Sequence, residues 1–330
     1  MKKNLIALAV LAASGAAFAQ SNVTLYGVAD IWFGQTSGTG VETQTVLESG
    51  GVSGSRWGVK GSEDLGGGLK ANFLLEQGFK IDTGAGAAGQ AFSRQSYVGF
   101  SGGFGEVKLG KMWTAYDDIS GAGNSAFDSA LAPTAGLGNN KLGVWMSDEY
   151  QANPGNTIYY ASPSMSGFSG AISYSLGENK KPNVDAGNVT SVHVKYEGGP
   201  VYVGLGFQSE KADGNATAVE FTRLNGSYAF GAAKLLAGYG KFANGNAETT
   251  EWELGADYSI SSTLAISGGI AKSNDNAASG DASRKAIGLA AAYSMSKRTT
   301  LYGGFNQSTT TVMGNDSDSK IFAVGVKHTF

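Results

Sequence analysis

Across 330 residues the chain carries 24 Lys plus Arg against 27 Asp plus Glu, a formal net charge of −3, and no cysteine. The acidic balance argues against nucleic acid as a partner, and the missing thiols exclude disulfide staples and thiolate metal sites. With 51 glycines the chain is also poor helix material, since each weakens a helix interior by about 1 kcal/mol relative to alanine.

The first element is an export signal. Lys2 and Lys3 precede the apolar run Leu5 to Ala13, and Ala17-Phe18-Ala19 supplies the small residues of a cleavage site. The run is too short to span a bilayer, and a buried N-terminal helix is the alternative reading. Cleavage after Ala19 starts the mature chain at Gln20 and leaves 22 bases against 27 acids, a net charge of −5. Beyond Ala19 no stretch reaches the ~18 apolar residues of a membrane helix. No linker divides the remainder, so residues 20–330 form one domain.

From there the hydrophobic period is two. A strand is predicted over 22–35. The polar stretch 36–55 leads to strands at 56–64 and 68–79, joined by the turn Asp64-Leu65-Gly66-Gly67-Gly68. After a second polar stretch, 80–92, come 93–101 and 105–113 around Ser101-Gly102-Gly103-Phe104. The longest break, 114–155, follows. Strands then recur at 156–163, 168–178, 189–197 and 200–210, the last two linked by Gly198-Gly199-Pro200. The series continues at 217–230, 232–243, 248–260, 263–274, 283–295 and 299–309, and after a polar stretch at 310–319 it ends with 320–330, sixteen strands in all.

Each strand has one oily and one polar or small face. Trp252, Leu254, Ala256, Tyr258 and Ile260 share one side, while Glu251, Glu253 and Asp257 share the other. Val201, Val203, Leu205 and Phe207 oppose Tyr202, Gly204, Gly206 and Gln208; Phe322, Val324, Val326 and Phe330 oppose Ala323, Gly325 and Lys327. Tight turns interleave with long polar segments, so one rim has turns and the other loops, the asymmetry of outer-membrane barrels. A sheet that spans lipid must close to leave no edge amides unpaired, and sixteen strands enclose an aqueous channel. The expected fold is an all-β, 16-stranded antiparallel transmembrane β-barrel. Its polar face, Glu251, Glu253 and Asp257 included, is expected to meet water.

The segments Asn22 to Gly27, Ser55 to Ala71, Arg94 to Phe100 and Val324 to Phe330 resemble the trimeric general porins of betaproteobacterial type. The resemblance covers the whole mature chain. It implies a homotrimer in the outer membrane whose barrels pass ions and small hydrophilic solutes by passive diffusion, each pore narrowed by an inward-folded third loop. It also implies that Phe330 is an assembly signal, where a chance strand end is the plainer reading. Loop 114–155 carries Asp117, Asp118, Asp128, Asp148 and Glu149 against the single base Lys141. Folded inward, it brings negative charge into the lumen; left outside, it is a solvated surface loop.

Opposite this loop the family has a basic wall. Arg56 and Lys60 lie on the face opposed to Trp57 and Val59 and are expected to point into the lumen. Arg94 and Lys111 occupy family positions for basic wall residues, although their strand parity conflicts with apolar Val98 and Phe100, or Val107 and Leu109. From Gln151 to Tyr159 no base appears where the family often has one. The constriction residues expected are therefore Arg56, Lys60, Arg94 and Lys111 against Asp117, Asp118 and Asp128, with weak anion preference.

Other motifs point nowhere. Gly84-Ala85-Gly86-Ala87-Ala88-Gly89 fits a dinucleotide pattern but lacks the strand and helix that such a loop needs. His193 and His328 are too few for a His-rich metal site and read as lumen-lining or interfacial. No catalytic residues, metal or cofactor are expected. The rival readings are a non-conducting adhesin or structural barrel, which shares the same alternation, and an outer-membrane enzyme, for which no positioned Ser-His pair is evident.

Overall fold

The structure is a computed structural model that describes residues 22–86, 89–135, 144–214 and 217–330. The expected signal segment and its cleavage site lie outside these residues, as does Lys141. Seventeen strands join in a single sheet that closes on itself, every neighbouring pair antiparallel.

On the N-terminal side lie β1 (Asn22–Gly38), β2 (Val41–Ser49), β3 (Arg56–Gly66), β4 (Leu69–Gly78), β5 (Gln95–Gly102) and β6 (Gly105–Lys111). The long connection that follows holds the single helical turn α1 (Asp117–Ser120) and a 3-10 turn at Met146–Asp148. Then come β7 (Thr157–Ala161), β8 (Phe168–Leu176), β9 (Asn188–Gly198), β10 (Val201–Lys211), β11 (Val219–Phe230) and β12 (Ala233–Asn244). The wall is completed by β13 (Ala247–Ser259), β14 (Leu264–Asp275), β15 (Ser283–Ser294), β16 (Thr299–Val312) and β17 (Asn315–Thr329).

Both β2 and β3 pair with β1, the first opposite Ile31 to Gly38 and the second opposite Asn22 to Val28. They run the same way and form one stave from which residues 50–55 step aside, so the barrel has the sixteen staves expected. Closure is made by β1 against β17, from Val28↔Thr329 to Gly38↔Ser319. Phe330 extends it, exchanging backbone hydrogen bonds with Gly27 at 3.0 and 3.1 Å. Its ring lies where a Cβ on Gly27 would fall.

Two expected loops are strands instead. Most of 36–55 is the hairpin of β1 and β2 around Thr39-Gly40, and most of 310–319 is the hairpin of β16 and β17 around Met313-Gly314. Above the hydrocarbon both faces of a strand meet water, so the apolar alternation that reveals a strand disappears while its backbone pairing continues. Gly40 and Gly314 take left-handed φ of 72° and 79°, as tight hairpin turns require.

The faces separate as predicted. Leu205, Leu254, Leu289 and Phe322 are exposed on the outside, whereas Gln208, Asn225, Glu253 and Asn306 are fully buried inside. A soluble domain has the opposite arrangement; oily-out and polar-in is the pattern of a barrel in lipid. The seven turns on one rim, from Gly67-Gly68 to residues 295–298, hold six residues or fewer.

Candidate pore constriction

Between β6 and β7 the chain leaves the wall and lies along the polar face of β8 to β16. An irregular backbone buried in this way needs partners for its amides; the loop's own turns supply some and the wall supplies others. Ala115 N and Tyr116 N donate to Ser173 Oγ and Ser191 Oγ at 3.1 and 2.6 Å, and His193 Nδ1 lies 2.6 Å from the Ala115 carbonyl. Ser125 donates through its N and Oγ to Glu253 Oε1 at 2.8 and 2.6 Å, and Ala126 N donates to Ser267 Oγ at 2.6 Å. Met146 N and Ser147 N donate to the Glu251 carboxylate at 2.7 and 3.0 Å. At the far end Asn306 Nδ2 donates to Ala132 O, and Ala130 N reaches Gly51 O in the 50–55 step at 2.9 Å. That step is itself pinned by the buried Asp30, whose carboxylate accepts the amides of Gly51, Val52 and Ser53.

Glu251 and Glu253 therefore do not meet water, contrary to the expectation from alternation. They are buried acceptors for loop amides, a role that parity cannot distinguish from hydration. Asp257, on the same face, accepts from Ser267 Oγ at 2.6 Å.

Beneath the loop the wall is flattened by glycine. A Cβ on Gly206 would stand 2.8 Å from Ile119, one on Gly238 2.5 Å from Trp145, and one on Gly304 2.7 Å from Leu131. On Gly255 and Gly269 it would overlap Ser125, and on Gly288 the Leu131 carbonyl. Close approach of a second backbone is what calls for glycine at these inward positions. Sequence reading registered them only as small residues.

Arg223 on β11 is the cation that holds the middle of the loop. Fully buried, it donates to Ser120 O at 2.7 Å and Ser147 Oγ at 2.9 Å, pairs with Asp148, and lies 4.7 Å over the Trp145 ring. Its signal in the sequence was a lone base on the inward side between Phe221 and Asn225, with Leu224 facing out.

Of the expected basic residues, Arg56 and Arg94 are brought together by Glu76 on β4, which sequence reading missed. Arg56 Nε lies 3.4 Å from Glu76 Oε2 and Arg94 Nε 2.7 Å from Oε1, while Tyr26 OH donates to Oε2 at 2.8 Å. Arg94 precedes β5, so strand parity does not govern it; its guanidinium lies 4.9 Å from the Trp113 ring. Lys60 is exposed, with its ammonium 5.0 Å over Tyr26. Lys111 instead donates to Asn153 O at 2.5 Å and ties down the loop's return end. Alternation breaks just before it at Gly110, whose φ is 142°.

The three acids gather on the loop. Asp117 accepts from Tyr150 OH at 2.7 Å, Asp118 from Tyr159 OH at 2.6 Å, and Asp128 from Asn124 Nδ2 at 2.6 Å. Burial pushes the Asp117 carboxyl up to about 6; repulsion from Asp118 and Asp128 adds to this, while the Tyr150 bond and Arg94 oppose it. Asp118 is also raised by burial, against the pull of Tyr159, His193, Lys108 and Lys195. Arg94 thus acts electrostatically on Asp117, and two wall lysines absent from the sequence reading act on Asp118.

A closed barrel, oily outside and polar inside, with a charged loop laid on its inner wall, is an outer-membrane channel. The chain belongs to the Gram-negative porins, whose family model matches residues 6–329. It is 39% identical over 274 residues to outer membrane porin protein 32 of Delftia acidovorans, covering 78% of this chain and 75% of that protein. Against an outer membrane porin protein of Bordetella pertussis it is 32% identical over 297 residues, with 80% and 74% covered. Among solved structures, the anion-selective porin from Comamonas acidovorans superposes with a TM-score of 0.78 at 28% identity, covering 94% of this chain and 100% of that one. The trimer form of OmpT from Vibrio cholerae, at 17% identity and a TM-score of 0.69, shares the fold. The protein is thus an outer-membrane porin, a water-filled channel for passive diffusion of ions and small hydrophilic solutes, and not an enzyme.

Proposed function

We propose that this porin is weakly anion-preferring and that its waist lies between Arg56, Lys60 and Arg94 on the wall and Asp117, Asp118 and Asp128 on the third loop. The observation that carries this is the Glu76 cluster: two guanidinium groups share one carboxylate, so the wall keeps a net positive charge. The low-dielectric wall focuses that field, while salt near 0.1 M screens beyond about 10 Å, so the groups nearest the waist set the sign. The anion selectivity of the Comamonas porin supports the same direction. Reversal potential in a KCl gradient tests it. Arg56→Ala shifts the potential towards cations and Asp118→Ala towards anions; no movement in either variant removes both residues from the constriction.

The working unit in this reading is a homotrimer in outer-membrane lipid, exported by a signal peptide that ends at Ala19, with Phe330 as its assembly signal. A trimeric neighbour of the same fold supports the oligomer. Cross-linking that yields only monomer refutes it, and N-terminal sequencing of the mature protein checks Gln20.

A further inference from the structure

On the lipid-facing side of β13 to β17 the wall has a dent of about 520 Å³. Two small pairs line it in adjacent rows of the sheet: Ala256 opposite Gly268, with Leu289 next in that row and its side chain over Gly268, and Ala291 opposite Gly303, with Ile266 beside them. Leu289 and Phe305 rise along one side. Elsewhere along these strands large apolar side chains stand out from the same face, among them Leu254, Ile270 and Leu301. The dent therefore opens into hydrocarbon, where something apolar must fill it.

Ala291 lies three residues, about 10 Å, above the end of β15 at Ser294. The next turn is Met295-Ser296-Lys297-Arg298. All seven turns on this short-turn rim, the periplasmic one, are described, and only this turn has charged residues between its strands. Lys297 and Arg298 are exposed, and neither pairs with a carboxylate among the described residues. Tyr258 lines the dent and Tyr293 stands outward between it and the turn, at the level where amphipathic rings mark a membrane interface. An apolar slot, an aromatic step and two free cations follow one another down the wall, in the order of acyl chain, glycerol region and phosphate.

We propose that this face is a docking site for an anionic phospholipid of the periplasmic leaflet, with one acyl chain in the dent over Ala291 and Gly303 and its phosphate against Lys297 and Arg298. Charge complementarity selects lipid over a second copy of the chain, because the slot opens directly above cations that a phosphate satisfies. Basic residues near an anionic headgroup strengthen binding enough that losing two weakens it roughly 30-fold.

Native mass spectrometry of the purified oligomer, titrated with phosphatidylglycerol or phosphatidylcholine, tests the site. Wild type binds phosphatidylglycerol the more tightly. The Lys297→Gln/Arg298→Gln double variant loses that preference by roughly 30-fold, while Ala291→Phe, which fills the slot from the lipid side, loses both lipids. Gly303→Leu repeats the slot experiment from the neighbouring strand, and heat-modifiable migration on gels shows that each barrel is folded. Wild-type affinity for phosphatidylglycerol in the double variant, or in both folded slot variants, overturns the proposal. So does a fall in oligomer mass in the slot variants with lipid counts unchanged, which gives the slot to a second copy.

Discussion

Replacing Arg223 by methionine tests whether the third loop is held by a buried cation. Methionine keeps much of the volume against Trp145 but removes the bonds to Ser120 O and Ser147 Oγ and the pair with Asp148. Bonds to a charged donor contribute about 1.5–3 kcal/mol each. The Asp148 side chain is 31% exposed, so water can take over its charge and the ion pair adds about 1 kcal/mol or less. Against this, Arg223 Nε is buried without a hydrogen-bond partner, and its removal returns about 1–3 kcal/mol. The net loss of loop docking is about 2–4 kcal/mol, a roughly 30- to 700-fold rise in local opening. Hydrogen exchange on the purified porin reads this at the amides of Ser147, Asp148 and Glu149, with β12 and β13 amides as the control. Protection at 147–149 within threefold of wild type would refute the strap, and equal loss in the strands would mean that the barrel had been damaged instead.

Gly255→Val pushes Ser125 off the wall, breaks its two bonds to Glu253 and forces the loop into the lumen; single-channel conductance should fall, and wild-type conductance contradicts the glycine track. Because the Asp117 carboxyl titrates near 6 when docked, above the ~3.9 of an unfolded aspartate, docking disfavours its charge and is tightest in acid, loosening as pH rises through about 6. Between pH 7.5 and 5 the loop therefore loses negative charge and the reversal potential moves towards anions; Asp117→Asn should flatten that dependence, and an unchanged slope in the variant excludes Asp117. Deleting Phe330 removes two closure hydrogen bonds and the ring over Gly27, so the yield of heat-modifiable oligomer should drop several-fold in a refolding assay, while full yield makes Phe330 an ordinary strand end.

The strands were legible because hydrocarbon imposes a period of two: wherever a segment touches lipid, as at Leu254 or Phe322, its partner positions declare themselves polar or small. Where that constraint stops, so did the reading, and the tops of β1, β2, β16 and β17 passed for loops. Parity also brought Arg56 to the correct face but set Arg94 and Lys111 on the oily side, because Arg94 in fact stands before its strand and Lys111 follows the break in backbone geometry at Gly110. The inner wall proved hardest. Glu251, Gly255 and Arg223 are chosen by a loop more than 70 residues away in the chain, and a single sequence holds no local trace of such a partner.

The loop is synthesised well before most of the wall that holds it. Its anchors lie 75 residues downstream at Ser191, 128 at Glu253 and 174 at Asn306. Loop-closure entropy must be met before contacts of that separation form, so they come late in folding. A barrel caught with its last strands unpaired has nowhere to seat residues 125–132. The width of the pore is then a property of the finished barrel alone, and a partly assembled chain exposes a lumen with no waist.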